Sequence, residues 1–131
     1  MTVYGVQVEF RCADGEQYEA IGAFWDAMRL CCTDIPLLGV GFAWRNDTLQ
    51  YLIGTESGVP ENTAEKIAAQ FPGAVSAELR LPDSGWKTYT ATADTLDELY
   101  GEIYRDGPLD YEIEEIKADG SAVIRIWRKE G

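Results

Sequence analysis

The first patterned stretch of the chain, residues 3–11, alternates between apolar and polar side chains. A period of two is typical of a strand with one buried face. Residues 15–32 instead repeat their apolar positions at spacings of three and four, which predicts an amphipathic helix. Asp14 and Gln17 have the spacing of a capping box at the start of that helix. Its apolar positions are Tyr18, Ile21, Trp25, Met28 and Cys32.

A second alternating region, residues 38–53, is interrupted by Asn46-Asp47. Two alternating runs around a two-residue turn predict a β-hairpin. The segment that follows is interpreted as a connector, with a short helix at about residues 63–70 and an extended stretch at residues 75–81. The first half of the chain is therefore ordered as strand, helix, hairpin and connector.

The same order returns in the second half. Residues 86–92 are rich in threonine and aromatic residues, which favours a strand. Thr95 and Glu98 have capping-box spacing at the start of a second amphipathic helix. Residues 111–127 then form two alternating runs around the Asp-Gly pair at 119–120, a strong hairpin signal.

This repeated order predicts the fold class. We expect a single α+β domain over residues 1–131, built from tandem strand-helix-strand-strand units with pseudo-twofold symmetry. Unit one covers about residues 3–56, the connector about 57–85, and unit two about 86–129. The antiparallel sheet is expected to carry both long helices on one face.

Pairing outward from each turn assigns side chains to the faces of the sheet, since they alternate along a strand. In the second hairpin we place Ala118 opposite Ser121, which puts Glu112 opposite Trp127. One face then carries Ile113, Ile124 and Ile126, which require a helix packed on them. The other face carries Glu112, Glu114, Ile116, Val123, Arg125 and Trp127.

In the first hairpin the same pairing gives an apolar face with Val40, Phe42, Trp44, Leu49, Tyr51 and Ile53. The opposite face carries Gly39, Gly41 and Gly54. Superposing the two turns brings this glycine face into register with the face of Glu112 and Trp127. Missing side chains beside a carboxylate and an aromatic ring predict a cleft suited to an organic cation. Alternatively, these charged groups and Trp127 form an ordinary solvated surface.

Composition limits the chemistry. The chain has 23 acidic and 11 basic residues, a formal charge of −12, and no histidine. Direct binding of nucleic acid is not expected, because phosphate contacts require clustered Lys and Arg. Catalysis by Ser-His-Asp or Cys-His is excluded, and we expect no metal and no cofactor. Cys12, Cys31 and Cys32 are interpreted as reduced packing residues, and without a targeting or membrane signal the expected location is cytoplasmic.

Several short motifs resemble the GyrI-like small-molecule-binding domain, which is also the effector-binding domain of multidrug-sensing bacterial transcription regulators. Residues 21–25 (IGAFW) resemble its first helix, and residues 81–89 (LPDSGWKTY) are similar to its "IPxGxY" entry into the second unit. Residues 111–113 (YEI) resemble its "FExY" strand, and residues 125–127 (RIW) resemble its "EIWIP" end. The chain departs from the pattern at Glu114, where the family has Tyr.

The resemblance implies a stand-alone sensor, buffer or sequestering protein for a hydrophobic, cationic aromatic ligand. It places the buried glutamate of the family at Glu112, or at Glu114 after a register shift. Trp86 and Tyr89 alternate on their strand, so one of them is expected in the cleft, and Trp86 is favoured. The expected ligand-binding residues are Glu112, Trp127, Glu114, Trp86, Tyr89, Gly39 and Gly41.

Two other functions stay open. Some stand-alone members of this family hydrolyse reactive electrophilic compounds, and Glu112, Glu114, Tyr89 and Tyr100 are possible acid or base groups for such a reaction. The acidic chain is also compatible with a protein-interaction module that binds a basic partner, as gyrase inhibitors of this type do. The sequence leaves the identity of the ligand and the oligomeric state open.

Overall fold

The computed structural model describes residues 1–12, 16–45, 47–117 and 119–129. Within these ranges the chain forms seven strands and three helices. The strands are β1 (Thr2–Arg11), β2 (Leu38–Phe42), β3 (Thr48–Thr55), β4 (Val75–Arg80), β5 (Lys87–Ala91), β6 (Tyr111–Ile116) and β7 (Ala122–Trp127). The helices are α1 (Glu16–Cys31), α2 (Thr63–Ala68) and α3 (Leu96–Arg105).

All described strands belong to one open antiparallel sheet with the order β4-β1-β3-β2-β6-β7-β5. The predicted combination of helices with an antiparallel sheet is confirmed. Strands β2 and β6, one from each half of the chain, are neighbours near the middle of the sheet. This pairing brings the two predicted halves of the chain into contact.

One face of the sheet, here the front face, carries the side chains of Tyr51, Glu112 and Ile126 on neighbouring strands. Helices α1 and α2 pack on the part formed by β1 and β3, through buried residues that include Phe24 and Ile67. Helix α3 packs on the part formed by β7 and β5. Both long helices therefore lie on the front face, and no described helix combines the length and apolar character needed to cross a membrane.

The opposite face, here the back face, has its own smaller core of Val3, Val40, Leu52, Leu81 and Ile113. It is covered by residues 81–86, which run from β4 at one edge of the sheet to β5 at the other. Three hydrogen bonds fix this segment: the Leu81 amide donates to the Met1 carbonyl at 2.8 Å, and Trp86 Nε1 donates to the Pro82 carbonyl at 2.8 Å. Trp127 Nε1 donates to the Ser84 carbonyl at 3.0 Å.

The second hairpin corrects the predicted register by one residue. Glu112 lies opposite Ile126, whereas Trp127 lies opposite Tyr111 on the back face. The physical reason is a longer loop: the Lys117 amide donates to the Ser121 carbonyl at 2.8 Å, so three residues separate the paired positions. Gly120 has φ 85°, as expected in a three-residue hairpin loop. Ala118, the predicted partner of Ser121, lies outside the described residues.

The first hairpin is also shifted by one residue, for a different reason. The Arg45 amide donates to the Thr48 carbonyl at 2.8 Å, as the two-residue turn requires, although Asn46 itself lies outside the described residues. Phe42, however, pairs with Gln50, so the first run contains one extra residue. This is a β-bulge at Ala43, which has a positive φ of 52°.

The bulge changes the neighbours of the glycines. Gly39 and Gly41 pair with Ile53 and Tyr51, on the front face, and not with residues of the predicted glycine face. Each hairpin has one residue more than predicted before its second strand. The predicted alignment of the two hairpins, and with it the alignment of β2 with β6, is therefore unchanged. Gly39 pairs with Glu114 and Gly41 pairs with Glu112, and the predicted meeting of glycines and glutamates is confirmed.

Gly54 does not belong to that group. It pairs with Gly5 of β1, and a methyl group on either glycine would collide with backbone atoms of the other strand. We therefore expect Gly54→Ala to lower the free energy of unfolding by about 1–3 kcal/mol. Urea unfolding measures this change.

Gly101→Ala is the matched control for that substitution. Gly101 lies in α3, and the nearest atom to its added methyl group is 4.0 Å away, at the end of the Arg105 side chain. This variant should gain about 0.5–1 kcal/mol, since alanine favours a helix over glycine. Equal effects of the two substitutions would show that the strands do not approach as closely as described.

The predicted capping box at Thr95 is not supported by the structure, and the one at Asp14 lies outside the described residues. Thr95 is the N-cap residue of α3, but its side chain makes no capping hydrogen bond to the helix. Its Oγ1 instead accepts a hydrogen bond from the Thr92 amide at 3.0 Å, because the turn before the helix brings these residues together.

Candidate functional site

A cavity of about 400 Å³ opens between α1, α3 and the middle of the front face. Gly41 contributes to its floor opposite Glu112, and the missing side chain lets the Trp44 ring approach the strand closely. Tyr18, which we predicted on the apolar stripe of α1, is instead 64% exposed and lines the cavity. The other lining residues include Gln17, Ile21, Trp25, Trp44, Arg45, Leu49, Tyr51, Leu96, Tyr100, Tyr104, Glu112, Glu114 and Ile116.

Two carboxyl groups project into this cavity from β6. Glu112 and Glu114 are two residues apart on one strand, so both side chains are on the front face. Glu112 is only 1% exposed, whereas Glu114 is partly exposed and lines the cavity. Neither forms a salt bridge within the described residues. Arg125 lies on the back face, where it pairs with Glu115 at 3.2 Å.

Three tyrosines surround the carboxyl groups. The Tyr104 hydroxyl donates a hydrogen bond to Glu112 Oε2 at 3.0 Å. Tyr100, on the same helix, and Tyr51, on β3, interact with Glu114. Tyr51 is held in place by Trp25, whose Nε1 donates to the Tyr51 hydroxyl at 3.0 Å. Glu112 Oε1 is buried and has no hydrogen-bond partner among the described residues.

Burial controls the protonation of this group. It raises the pKa of Glu112 well above the usual value of a glutamate, and the nearby charge of Glu114 raises it further. Burial also raises the pKa of Glu114, although hydrogen bonding from Tyr100 opposes the shift. Two close carboxyl groups in a poorly solvated site resist double ionisation, so the empty site tends to retain a proton.

The pKa values of the neighbouring tyrosines shift in the same direction. Burial raises the pKa of Tyr51, Tyr100 and Tyr104, and the two glutamates raise it further. These hydroxyl groups therefore keep their protons throughout the neutral pH range. They can act as hydrogen-bond donors to the carboxyl groups but contribute no charge.

The structure brings together Glu112, Glu114 and Gly41 among the predicted ligand-binding residues. Gly39 lies next to them, but the space above it is filled by Trp25 and Tyr51. The prediction that Trp127 and Trp86 lie in the cleft is wrong. Both contact Tyr111 on the back face and do not line the cavity. The shifted register of the second hairpin places Trp127 on the back face. Trp86 precedes β5 and contributes to the back-face core.

The predictions for Tyr89, in the cleft, and Gly54, on the glycine face, are wrong as well. Tyr89 is on the front face, but it packs with α3 and pairs with Ile124 of β7, outside the cavity. Gly54 is taken up by its close contact with Gly5. Neither residue belongs to the candidate site.

Sequence reasoning missed Tyr104 and assigned Tyr51 to the core alone. A signal for Tyr104 was present: it follows Tyr100 by one helical turn, and the two rings stack with centroids 6.0 Å apart. No comparable local signal marks Tyr51, since its position above the cavity depends on the bulge in the neighbouring strand.

The sequence matches no protein-family model and none of the curated proteins with which it was compared. The resemblance to GyrI-like domains therefore stays a prediction that rests on short motifs. The site described here is defined by its own geometry: two glutamates, four tyrosines and two indole rings around one cavity.

Proposed function

We propose that this protein is a GyrI-like small-molecule-binding protein that holds a hydrophobic aromatic cation in the cavity between α1 and α3. Glu112 and Glu114 supply the opposite charge. One observation carries the proposal: the carboxyl group of Glu112 is buried at the wall of an aromatic cavity, and no described residue offers it a cation.

Burying an ionised carboxyl group without a cation is costly, and the one hydrogen bond from Tyr104 replaces only part of the lost hydration. Proteins rarely retain such a group unless it serves a purpose. A ligand cation would replace the lost hydration, and the rings of Trp44 and Tyr100 would add cation–π contacts of about 0.5–2 kcal/mol. The ring of Trp25 already has a cation, Arg29, at 5.0 Å from its centroid.

Arg45 also lines the cavity, but it is exposed, whereas Glu112 is buried and Glu114 is partly buried. The carboxyl groups therefore lie deeper in the cavity than the guanidinium group.

The strand order supports the finer part of the proposal, the tandem repeat. From the centre of the sheet outward, the first half reads β2-β3-β1 and the second half reads β6-β7-β5. Each half has its long helix between its first and second strands along the chain. We infer two units related by a pseudo-twofold axis between β2 and β6, with the cavity at their boundary.

The test compares two probes of nearly equal shape, N-methylquinolinium and its neutral isostere methylnaphthalene, by quenching of tryptophan fluorescence. We expect the cation to bind more tightly. In the double variant Glu112→Gln/Glu114→Gln the cation should lose about 2–5 kcal/mol, a factor of roughly 30 or more. The affinity of the neutral probe should hardly change.

Two control variants use residues outside the cavity. Glu115→Gln removes a carboxylate from the same strand on the back face, and Trp127→Phe changes an indole on that face. Both should leave the affinity for N-methylquinolinium unchanged. Equal losses for the charged and neutral probes in the double variant would show that the glutamates are structural, and the proposal would fail.

A second candidate function is hydrolysis of reactive electrophilic compounds, and one contact favours it. The hydrogen bond from Tyr104 to Glu112 places a protonated hydroxyl group beside a carboxyl group in the same cavity. Tyr104 thus takes the role that we had predicted for Tyr89. Incubation with styrene oxide tests this function: water would add to the epoxide to give the diol, and Glu112→Gln should abolish the reaction.

The remaining expectations stay predictions. These are the cytoplasmic location, the lack of a cofactor, and the binding of a basic protein partner by the acidic surface. If neither quinolinium nor styrene oxide is bound or converted, and a basic protein is bound tightly, the interaction module becomes the preferred function.

A further inference from the structure

Some hydrogen-bond acceptors of the cavity have no donor in the part of the chain that the structure describes. Two buried side-chain atoms that line it, Glu112 Oε1 and Gln17 Oε1, have no hydrogen-bond partner among the described residues. Both atoms are oxygens that accept hydrogen bonds. The third such atom in the described chain, Arg128 Nε, does not line the cavity.

The tyrosine hydroxyl groups around the glutamates are already directed toward them, whereas the guanidinium of Arg45 lines the exposed part of the cavity. The Tyr104 hydroxyl donates to Glu112 Oε2. The Tyr51 hydroxyl accepts from Trp25 and keeps its own proton for Glu114, with which it interacts. A ligand that reaches Glu112 therefore meets, at Oε1, an acceptor to which no described residue donates, and it can satisfy this acceptor only by donating a hydrogen bond.

The unpaired acceptor of Glu112 should favour one kind of organic cation over another. A quaternary ammonium ion brings charge but no N–H group, so Glu112 Oε1 would stay buried without a donor. A protonated amine or an amidinium brings both the charge and the donor. Charge-assisted hydrogen bonds of this kind are shorter and stronger than neutral ones.

We propose that the cation bound here carries at least one N–H group, which donates to Glu112 Oε1, and that the cavity discriminates against quaternary ammonium ions of the same shape. This proposal rests on the proposed binding function and narrows it to one class of cation. In the absence of an acceptor the preference should reverse, because an N–H cation loses more hydration than a quaternary ion on entering the cavity.

The experiment uses protonated N,N-dimethyl-naphthylmethylamine and the corresponding N,N,N-trimethyl-naphthylmethylammonium, which differ by one methyl group. Titration calorimetry at neutral pH gives both dissociation constants. The wild-type protein should bind the protonated amine about tenfold or more tightly, since an unsatisfied buried acceptor carries a cost of that order. Glu115→Gln, on the back face, should keep the same ratio.

Two substitutions at Glu112 separate hydrogen bonding from shape. Glu112→Met has similar volume and no oxygen, and it should remove the preference or reverse it toward the quaternary ion. Glu112→Gln keeps an acceptor oxygen and should retain part of the preference. Both variants are expected to fold, because replacing a buried charge by a group of similar size is often tolerated, and a thermal melt verifies this.

The possible results separate three claims: the preference for an N–H group, the role of Glu112 as its acceptor, and the binding function itself. If both cations bind the wild type tightly and equally, the N–H preference is wrong while the proposed binding function stands. If the ratio is the same in Glu112→Met as in the wild type, Glu112 is not the acceptor and the assignment is overturned. If neither cation binds, the binding function itself fails.

Discussion

Replacing Glu112 with glutamine is expected to stabilise the empty protein at neutral pH, by about 1–3 kcal/mol. The folded state raises the pKa of Glu112 through burial and through the charge of Glu114. A carboxyl group with a raised pKa binds its proton more tightly in the folded state than in the unfolded chain. Its contribution to stability is therefore lost as the pH rises from the usual glutamate value through the raised one. Glutamine does not titrate and avoids this loss.

The measurement is urea unfolding from about pH 5 to about pH 8, without ligand. The free energy of unfolding of the wild type should fall with rising pH more steeply than that of Glu112→Gln. Glu115→Gln is the matched control on the same strand and should leave the pH dependence unchanged. A Glu112→Gln variant that is less stable than the wild type at every pH would show that the carboxyl group is well satisfied in the empty protein.

The affinity for a permanently charged cation should rise steeply with pH over the same range. The empty site tends to retain a proton on the glutamate pair, and a cation that enters replaces it as the opposite charge. Release of one proton makes the affinity rise by up to about tenfold per pH unit below the raised pKa of the pair. Tyr51 and Tyr100 keep their protons and do not contribute.

N-methylquinolinium suits this measurement because its own charge does not change with pH. Its dissociation constant should be nearly independent of pH in the double variant Glu112→Gln/Glu114→Gln, which keeps neither of the two carboxyl groups. In Glu112→Gln alone a weaker pH dependence should remain, because burial still raises the pKa of Glu114. Methylnaphthalene should show no pH dependence in any of these proteins. Equal affinity of the wild type for the cation at pH 5 and pH 8 would contradict the retained proton.

The order of elements could be predicted because it depends on local periodicity. The strand at residues 3–11, the helix at 15–32 and the second hairpin all appear close to their expected bounds. The register of the hairpins could not be predicted in the same way. A bulge at Ala43 and a three-residue loop before Ser121 depend on contacts that no short window contains.

The candidate site was predictable only in part for a related reason. Glu112 and Glu114 share a face because they are two residues apart on one strand, and this holds in any register. The glycines stay opposite them only because two register errors cancel. Tyr51 and Tyr104 come from other elements and join the site through tertiary packing, which a local pattern does not encode.

The covering segment of the back face has a geometric consequence for the cavity. From β4 to β5 the sheet spans six strand spacings, about 29 Å, yet the seven peptide units between Arg80 and Lys87 reach at most about 25 Å. The segment is too short to cross a flat sheet of this width, so the sheet must curve toward it. The front face, which carries α1 and α3, is then the convex side. A longer connection would remove this constraint on the curvature of the sheet, whose middle strands form the floor of the cavity.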